Sequence, residues 1–158
     1  MENIPKREVS IRTFRHEDIV PLSAVDREAF GEASYPMFFL QQASDVFNSL
    51  FLIAEIEKEI VGYSLGAKEL DSSRGWVLSL AVKKQYRRMG IAKKLTENLI
   101  HILGTYDIDE VYLTVDPNNT PAINLYTKLN FLEIRKMDEY FGPNTSRLIM
   151  CKKIDTFL

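Results

Sequence analysis

Trp76-Val77-Leu78-Ser79-Leu80-Ala81-Val82 runs without a break into Lys83-Lys84-Gln85-Tyr86-Arg87-Arg88-Met89-Gly90-Ile91-Ala92. The first seven residues are apolar at nearly every position, the pattern of a central strand covered on both faces. After Gly90, the apolar residues Ile91, Leu95, Leu99 and Ile102 recur at helical spacing, with Lys93, Lys94, Glu97 and Asn98 on the opposite face. The stretch therefore predicts a mid-sheet strand, a basic turn and a strongly amphipathic helix. A helix start offers unpaired backbone N–H groups and a partial positive charge, so a phosphate seated there gains several hydrogen bonds. Gly90 lets the backbone come close, Ala92 leaves room for phosphate oxygens, and Lys83, Lys84, Arg87, Arg88, Lys93 and Lys94 surround the turn. No acidic residue of the stretch dilutes that charge. A solvated basic turn would read the same way, so these residues alone leave a phosphate site and a plain surface loop both open.

Upstream, Val9, Ile11 and Thr13 alternate as a strand does, and Ile19, Leu22, Val25 and Ala29 mark a helix. Gly31 to Pro36 interrupts it before a second helix over Met37 to Asn48. Leu50 to Ile56 and Ile60 to Ala67 flank Glu57, Lys58 and Glu59, which predicts a hairpin without an Asn-Gly turn. Downstream, Val111, Leu113 and Val115 form a strand ended by Pro117, and Thr120-Pro121 starts a helix carrying Ala122, Leu125, Tyr126 and Leu129. Phe131 to Arg135 and Leu148 to Lys152 read as the last strands, either side of Gly142 and Pro143. The expected class is α/β (α+β), with a mixed central sheet of about six to seven strands flanked by about four helices.

A chain of 158 residues, 46% hydrophobic and 27% charged, suits a single domain over residues 1–158 with its own core. The net charge of -2 gives no general attraction to nucleic acid or an anionic membrane, so neither is an expected partner. Met1 to Ser10 holds no apolar stretch fit for a signal peptide, and no run approaches the ~20 apolar residues of a membrane span. The expected location is the cytoplasm. The single cysteine, Cys151, follows Leu148, Ile149 and Met150 and reads as core packing, and no Cys/His spacing suggests a metal.

Arg87, Gly90 and Ala92, directly after a central strand, resemble the Arg/Gln-x-x-Gly-x-Gly/Ala cofactor signature of the GNAT acetyltransferase superfamily. Asn119-Thr120-Pro121-Ala122-Ile123-Asn124-Leu125-Tyr126-Thr127-Lys128-Leu129-Asn130-Phe131 resembles that family's second signature of Asn, Ala, Leu-Tyr and a final aromatic. With the strand order, the resemblance covers nearly the whole chain and is closest to archaeal-type and ribosomal-protein-alanine-type protein N-terminal acetyltransferases. It implies acetyl-CoA as cofactor, coenzyme A as product and no metal. It further implies direct attack, in a ternary complex, by the N-terminal α-amine of a protein or peptide. Protein or peptide N-termini are the implied partners, the resemblance leaves the ribosome or a nascent chain open as a further one, and the chain is expected as a monomer or weak dimer. Acetylation of a lysine side chain or small amine, and a non-catalytic acyl-CoA-binding or polyanion-binding module, are the alternatives.

The same resemblance assigns cofactor-binding residues. Leu80, Ala81 and Val82 would offer backbone N–H groups freed by a strand bulge to the pantetheine arm and the thioester carbonyl. Arg87, Arg88, Met89, Gly90, Ile91, Ala92 and Lys93 would hold the pyrophosphate, and Asn119, Asn124, Tyr126 and Lys128 of the second signature would complete the site. Tyr126 matches the tyrosine whose hydroxyl serves the departing thiolate. Related enzymes carry a Glu or His where this chain has Thr114, or a His where it has Trp76, and neither residue can act as a base. Glu32 remains, because Glu32-Ala33-Ser34-Tyr35-Pro36 resembles the substrate-loop pattern Pro-Glu-Asn-Tyr-Pro with one residue inserted, and it is expected as base or amine anchor. Tyr35, and Tyr140 in Tyr140-Phe141-Gly142, resemble aromatics that contact the substrate peptide. Phe38 and Phe39 could line an apolar subsite, with core packing the alternative for at least one.

Overall fold

The computed structural model describes residues 7–155. In chain order these form β1 (Ser10–Thr13), α1 (Ile19–Phe30), α2 (Met37–Phe47), β2 (Phe51–Ile56), β3 (Glu59–Lys68), β4 (Arg74–Val82), α3 (Ile91–Gly104), β5 (Glu110–Val115), α4 (Thr120–Lys128), β6 (Leu132–Met137) and β7 (Arg147–Lys153). The seven strands make one mixed sheet in the order β1-β2-β3-β4-β5-β7-β6, so the quoted stretch does supply the middle strand. Among the described residues, no helix is long and apolar enough to cross a membrane.

The chain divides into two compact units. One runs to Leu65 and resumes over Ser79–Thr96; the other holds Gly66–Leu78 and everything from Glu97 onward. In the first unit, β1 pairs antiparallel with β2, and β2 with β3. The β2–β3 turn is two residues long, since Ile56 pairs with Glu59. Glu57 and Lys58 both take left-handed φ, 49° and 69°, the conformation that a tight hairpin requires and that Asn-Gly usually supplies. The core of this unit gathers Leu22 and Val25 of α1, Leu40 of α2, and Phe51, Ile53, Tyr63 and Leu65 of the sheet, with Phe14 stacked on Phe51 at 4.8 Å. α1 ends at Gly31, whose φ of 56° turns the chain out of the helix while its N–H closes on the Arg27 carbonyl.

In the second unit, β4 runs parallel to β5 from Arg74↔Glu110 to Val77↔Leu113. β5 pairs antiparallel with β7, which also pairs with β6. Phe131 is buried just before β6, whose Leu132 and Ile134 are exposed.

Two expectations change. Along β4, Gly75, Val77, Ser79 and Ala81 are buried, while Leu78 is exposed and Trp76 and Leu80 are half-buried. Only one face is fully covered, and an apolar run cannot by itself distinguish a covered face from an open apolar one. Along α3 the buried stripe is Ile91, Leu95, Leu99 and Leu103, with Ile102 only half-buried, because the 3.6-residue period returns to the core at Leu103.

Candidate active site

The basic turn lies in the first unit. After β4, the Lys83 N–H donates to the Val61 carbonyl at 2.8 Å, which keeps the chain beside β3 through one further residue. A single 3-10 turn over Lys84–Tyr86 follows. Gly90 takes a left-handed φ of 78° in open surroundings, so its conformation, not crowding, is what requires glycine. α3 then opens with the Lys94 N–H bonding the Gly90 carbonyl at 3.0 Å, and the amides of Ile91, Ala92 and Lys93 precede that first helical bond. Arg87, Arg88 and Met89 are exposed; Arg88 is also left-handed, at 63°, and the Arg87 Nε donates to the Val82 carbonyl at 3.2 Å. Beside the turn lies a hollow of about 550 Å³, lined by Met89, Gly90, Ile91 and Lys94 and by Arg7, Glu8 and Val9 ahead of β1.

The expectation that nothing acidic offsets this turn is overturned. Glu59 of β3 pairs with the Lys83 ammonium at 2.8 Å and accepts the Tyr86 hydroxyl at 2.6 Å. Its carboxyl sits below its ordinary pKa through the Lys83 bond first and the Tyr86 bond second. The Glu28 carboxylate of α1 accepts the Lys84 backbone N–H at 3.0 Å. Lys94 spans from α3 to the Val9 carbonyl at 2.7 Å. Both acids come from elements far away in sequence, which a reading along the turn cannot reach.

Of the expected pantetheine-binding residues, Leu80 is half-buried and Ala81 and Val82 are buried. The register of β4 with β5 stops at Val77↔Leu113, short of Leu80.

The α1–α2 connection belongs to the same unit. Glu32 stands exposed on a 3-10 turn over Gly31–Ala33. Tyr35 is half-buried, its ring 4.6 Å from Phe39, and both pack against the core. Phe38 is 69% exposed, so of the two phenylalanines only it remains available for an apolar subsite. The Tyr35 backbone N–H donates to Asp26 Oδ2 at 2.6 Å. Asp26 Oδ1 accepts the Tyr63 hydroxyl, and the Tyr63 oxygen lies 2.7 Å from Ser79 Oγ. Asp26 and Tyr63 are fully buried, and Ser79 nearly so. Burial, and after it the Asp26 charge, push the Tyr63 phenol well above its usual pKa. None of these three residues lies in the motifs that the sequence singles out for function. Asp26 carried a signal, because it sits one residue past Val25 and three before Ala29, on the apolar face of α1.

The remaining candidates lie in the second unit. Asn119 caps α4, its Oδ1 accepting the Ala122 N–H at 3.2 Å, with Pro121 in the first turn. Asn124 and Lys128 are exposed on α4. Tyr126 is 7% exposed, packed edge-on against Phe131 at 5.7 Å, and the Phe131 N–H closes on its carbonyl at 2.9 Å. Its hydroxyl has no hydrogen-bond partner among the described residues. Burial pushes that phenol up to about 12, against a smaller opposing effect from Arg147, so it is protonated at neutral pH. Thr114 accepts the Arg147 Nε–H at 3.2 Å. Trp76 reaches Glu69 through its indole N–H at 3.4 Å, so both positions are occupied by groups without basic character. Tyr140 is half-buried and edge-on to Phe141 at 4.8 Å, and the Arg147 guanidinium lies 5.1 Å from the Phe141 ring centre.

The geometry thus divides the candidates into two sets. Glu32, Tyr35, Leu80–Val82 and the Arg87–Lys93 turn share the first unit; Asn119, Asn124, Tyr126, Lys128 and Tyr140 share the second. Residues 13–131 match the Acetyltransferase (GNAT) family. An N-alpha-acetyltransferase of Sulfurisphaera tokodaii is 33% identical over 155 residues, covering 91% of this chain and 92% of its own. The crystal structure of Ard1 from Thermoplasma volcanium superposes with a TM-score of 0.84 at 21% identity, covering 93% of this chain and 98% of that one. Chaetomium thermophilum Naa20, solved in complex with a bisubstrate analogue, reaches 0.81 at 26% identity over 92% of this chain and 86% of its own. A left-handed glycine turn opening α3 from the middle strand of a mixed seven-stranded sheet, and a family match that spans β4 to α4, lead to one assignment: this chain belongs to the GNAT family of acetyltransferases.

Proposed function

We propose that this chain transfers the acetyl group of acetyl-CoA to the N-terminal α-amine of a protein or peptide. The observation that carries the reading is the near full-length similarity to an N-alpha-acetyltransferase, at 33% identity. In this reading the amides of Ile91, Ala92 and Lys93, with Arg87, Arg88, Met89 and Gly90, hold the pyrophosphate at the start of α3. The backbone of Leu80, Ala81 and Val82 holds the pantetheine arm, and Asn119, Asn124 and Lys128 contribute from α4. The open apolar face of β4 suits such an arm.

The amine nitrogen attacks the thioester carbonyl, the tetrahedral intermediate expels coenzyme A as its C–S bond breaks, and the Tyr126 hydroxyl supplies a proton to the departing sulfur. Its donor is unused and it is protonated at neutral pH, so it can hydrogen-bond the departing sulfur; burial makes it a weaker acid than a free phenol, so the proton follows as charge builds on the thiolate. The amine must lose a proton. An α-amine with a pKa near ~8 is already partly neutral at physiological pH, unlike a lysine near ~10.4, so Glu32 or a water suffices as acceptor. Glu32 and Tyr35 on the α1–α2 connection, and Tyr140 on the β6–β7 connection, receive the substrate peptide. The chain acts as one domain in the cytoplasm, as a monomer or weak dimer, on nascent or finished polypeptides.

The test is mass spectrometry of a peptide mixture with free α-amines and internal lysines, incubated with acetyl-CoA and the protein. Acetyl groups on α-amines are expected. Acetylation confined to lysine side chains or to small amines added in competition would overturn the proposal.

A further inference from the structure

Asp26 presents a problem that neither the fold nor the acetyl transfer explains. A carboxylate on the core face of a helix costs several kcal/mol of lost hydration unless hydrogen bonds replace the water, so what it holds is informative. Each of its oxygens holds a different element. Oδ2 takes the backbone N–H of Tyr35, in the connection that carries Glu32, and Oδ1 takes the hydroxyl of Tyr63 on β3. A phenol has one proton. With that proton given to Asp26, the 2.7 Å contact between Tyr63 and Ser79 requires the serine to donate. Ser79 lies on β4 immediately before Leu80, the first residue proposed to hold pantetheine. The donors therefore run in one sense, from Ser79 to Tyr63 to Asp26, where they meet the Tyr35 amide from the opposite side.

We propose that Asp26 is a positioning residue that couples the amine-binding connection to the acetyl-CoA strand, so that the two substrates bind cooperatively. The inference rests on the function proposed above. Such a chain is polarised along its length: a change in the hydrogen bonding of Ser79 alters what Tyr63 gives to Asp26, and so how firmly Asp26 holds the Tyr35 amide. All four groups belong to the first unit, and three of the four side chains or amides lack solvent that could take over a lost bond. If the network served the fold alone, its removal would lower stability without changing how one substrate influences the other.

Coenzyme A and a substrate peptide are the two probes. In calorimetric titrations, coenzyme A is expected to tighten peptide binding about tenfold, within the usual range of coupling between sites. Tyr63→Phe keeps the ring in the core, 5.8 Å from Phe51, and removes only the hydroxyl. It should leave coenzyme A affinity within about twofold, abolish the tightening, and raise the peptide KM about tenfold with a smaller change in kcat. Tightening that survives Tyr63→Phe, or that is absent from the wild-type protein, overturns the inference. Should the variant fail to fold, hydrogen exchange in the wild-type protein decides. Saturating coenzyme A should slow exchange of the Tyr35 amide several-fold more than that of amides in the β6–β7 connection, and an unchanged Tyr35 amide refutes the coupling. Exchange also separates the two proposals, since it reads the tie to Asp26 whether or not any α-amine is acetylated.

Discussion

Gly62→Ala tests how the cofactor strand is held. Gly62 lies on β3, where a Cβ would sit 2.8 Å from the Ala81 carbonyl oxygen, 3.2 Å from Val82 Cγ2 and 3.4 Å from Leu95 Cδ1. The Val82 and Leu95 side chains can yield by a few tenths of an ångström, but the Ala81 oxygen is backbone. Relief requires β3 and β4 to separate by roughly half an ångström, and overpacking of this kind costs about 1–3 kcal/mol. For a chain of this size each kcal/mol lowers Tm by about 2–4 °C, so a drop of about 4–8 °C is expected near the middle of that range. The displaced segment is the one proposed to hold pantetheine, and its next carbonyl, at Val82, anchors the Arg87 side chain. The acetyl-CoA KM should therefore rise several-fold while the peptide KM changes less. Thermal unfolding with and without coenzyme A, together with steady-state kinetics in both substrates, reads all three quantities. A Gly62→Ala protein with wild-type Tm and wild-type acetyl-CoA KM would refute both the close packing and the role given to Leu80–Val82.

Other outcomes follow from the same structure. Tyr126→Phe should lower kcat about a hundredfold or more while leaving coenzyme A affinity and Tm near wild type, since the ring contact with Phe131 is kept. With the phenol pushed up to about 12, wild-type kcat should show no loss from its ionisation below about pH 10. Glu32→Gln should flatten the acid limb of the kcat/KM profile if Glu32 takes the amine proton, and an unchanged profile removes it from that role. Arg12→Ala should destabilise the protein by about 2 kcal/mol at neutral pH, because Arg12 grips buried Asp18 at 2.7 and 2.8 Å and half-buried Glu55 at 2.9 Å. Burial raises the Asp18 pKa, but its bonds to Arg12 and the Arg15 backbone outweigh this and hold it below the ordinary value. The resulting stability is present above the unfolded carboxyl pKa and lost as pH falls through the lower folded one. The gap between Arg12→Ala and wild type, measured by denaturant unfolding, should accordingly shrink below about pH 4.

Local chemistry made most of the fold legible. Gly90 announces its turn because only its own backbone is at issue; the β2–β3 hairpin and the Thr120-Pro121 helix start are local in the same way. The middle position of β4 followed from an apolar run broken only at Ser79, even though only one of its faces is fully covered. What escaped depends on partners remote in sequence. Glu28 lies 56 positions before Lys84, Glu59 lies 24 before Lys83, and Asp26 lies 37 before Tyr63, so no window along the chain contains either member's reason for being there. The open face of β4 escaped for another reason: Leu78 and Leu80 are as apolar as residues that pack inside.

Glu59 bears on which anions the basic turn, in its proposed role, would select. By pairing with Lys83 and leaving the N–H groups at the start of α3 in place, it weakens the long-range field without weakening the short-range donors. A long polyanion gains affinity mainly by displacing counterions over an extended positive surface, and each cation already paired with an acid lowers that gain. A compact diphosphate able to reach into the backbone gains nearly the full benefit. Under the proposed function, pairing Lys83 with Glu59 tilts the turn toward discrimination by reach, favouring a small phosphorylated ligand over a nucleic acid with many more charges.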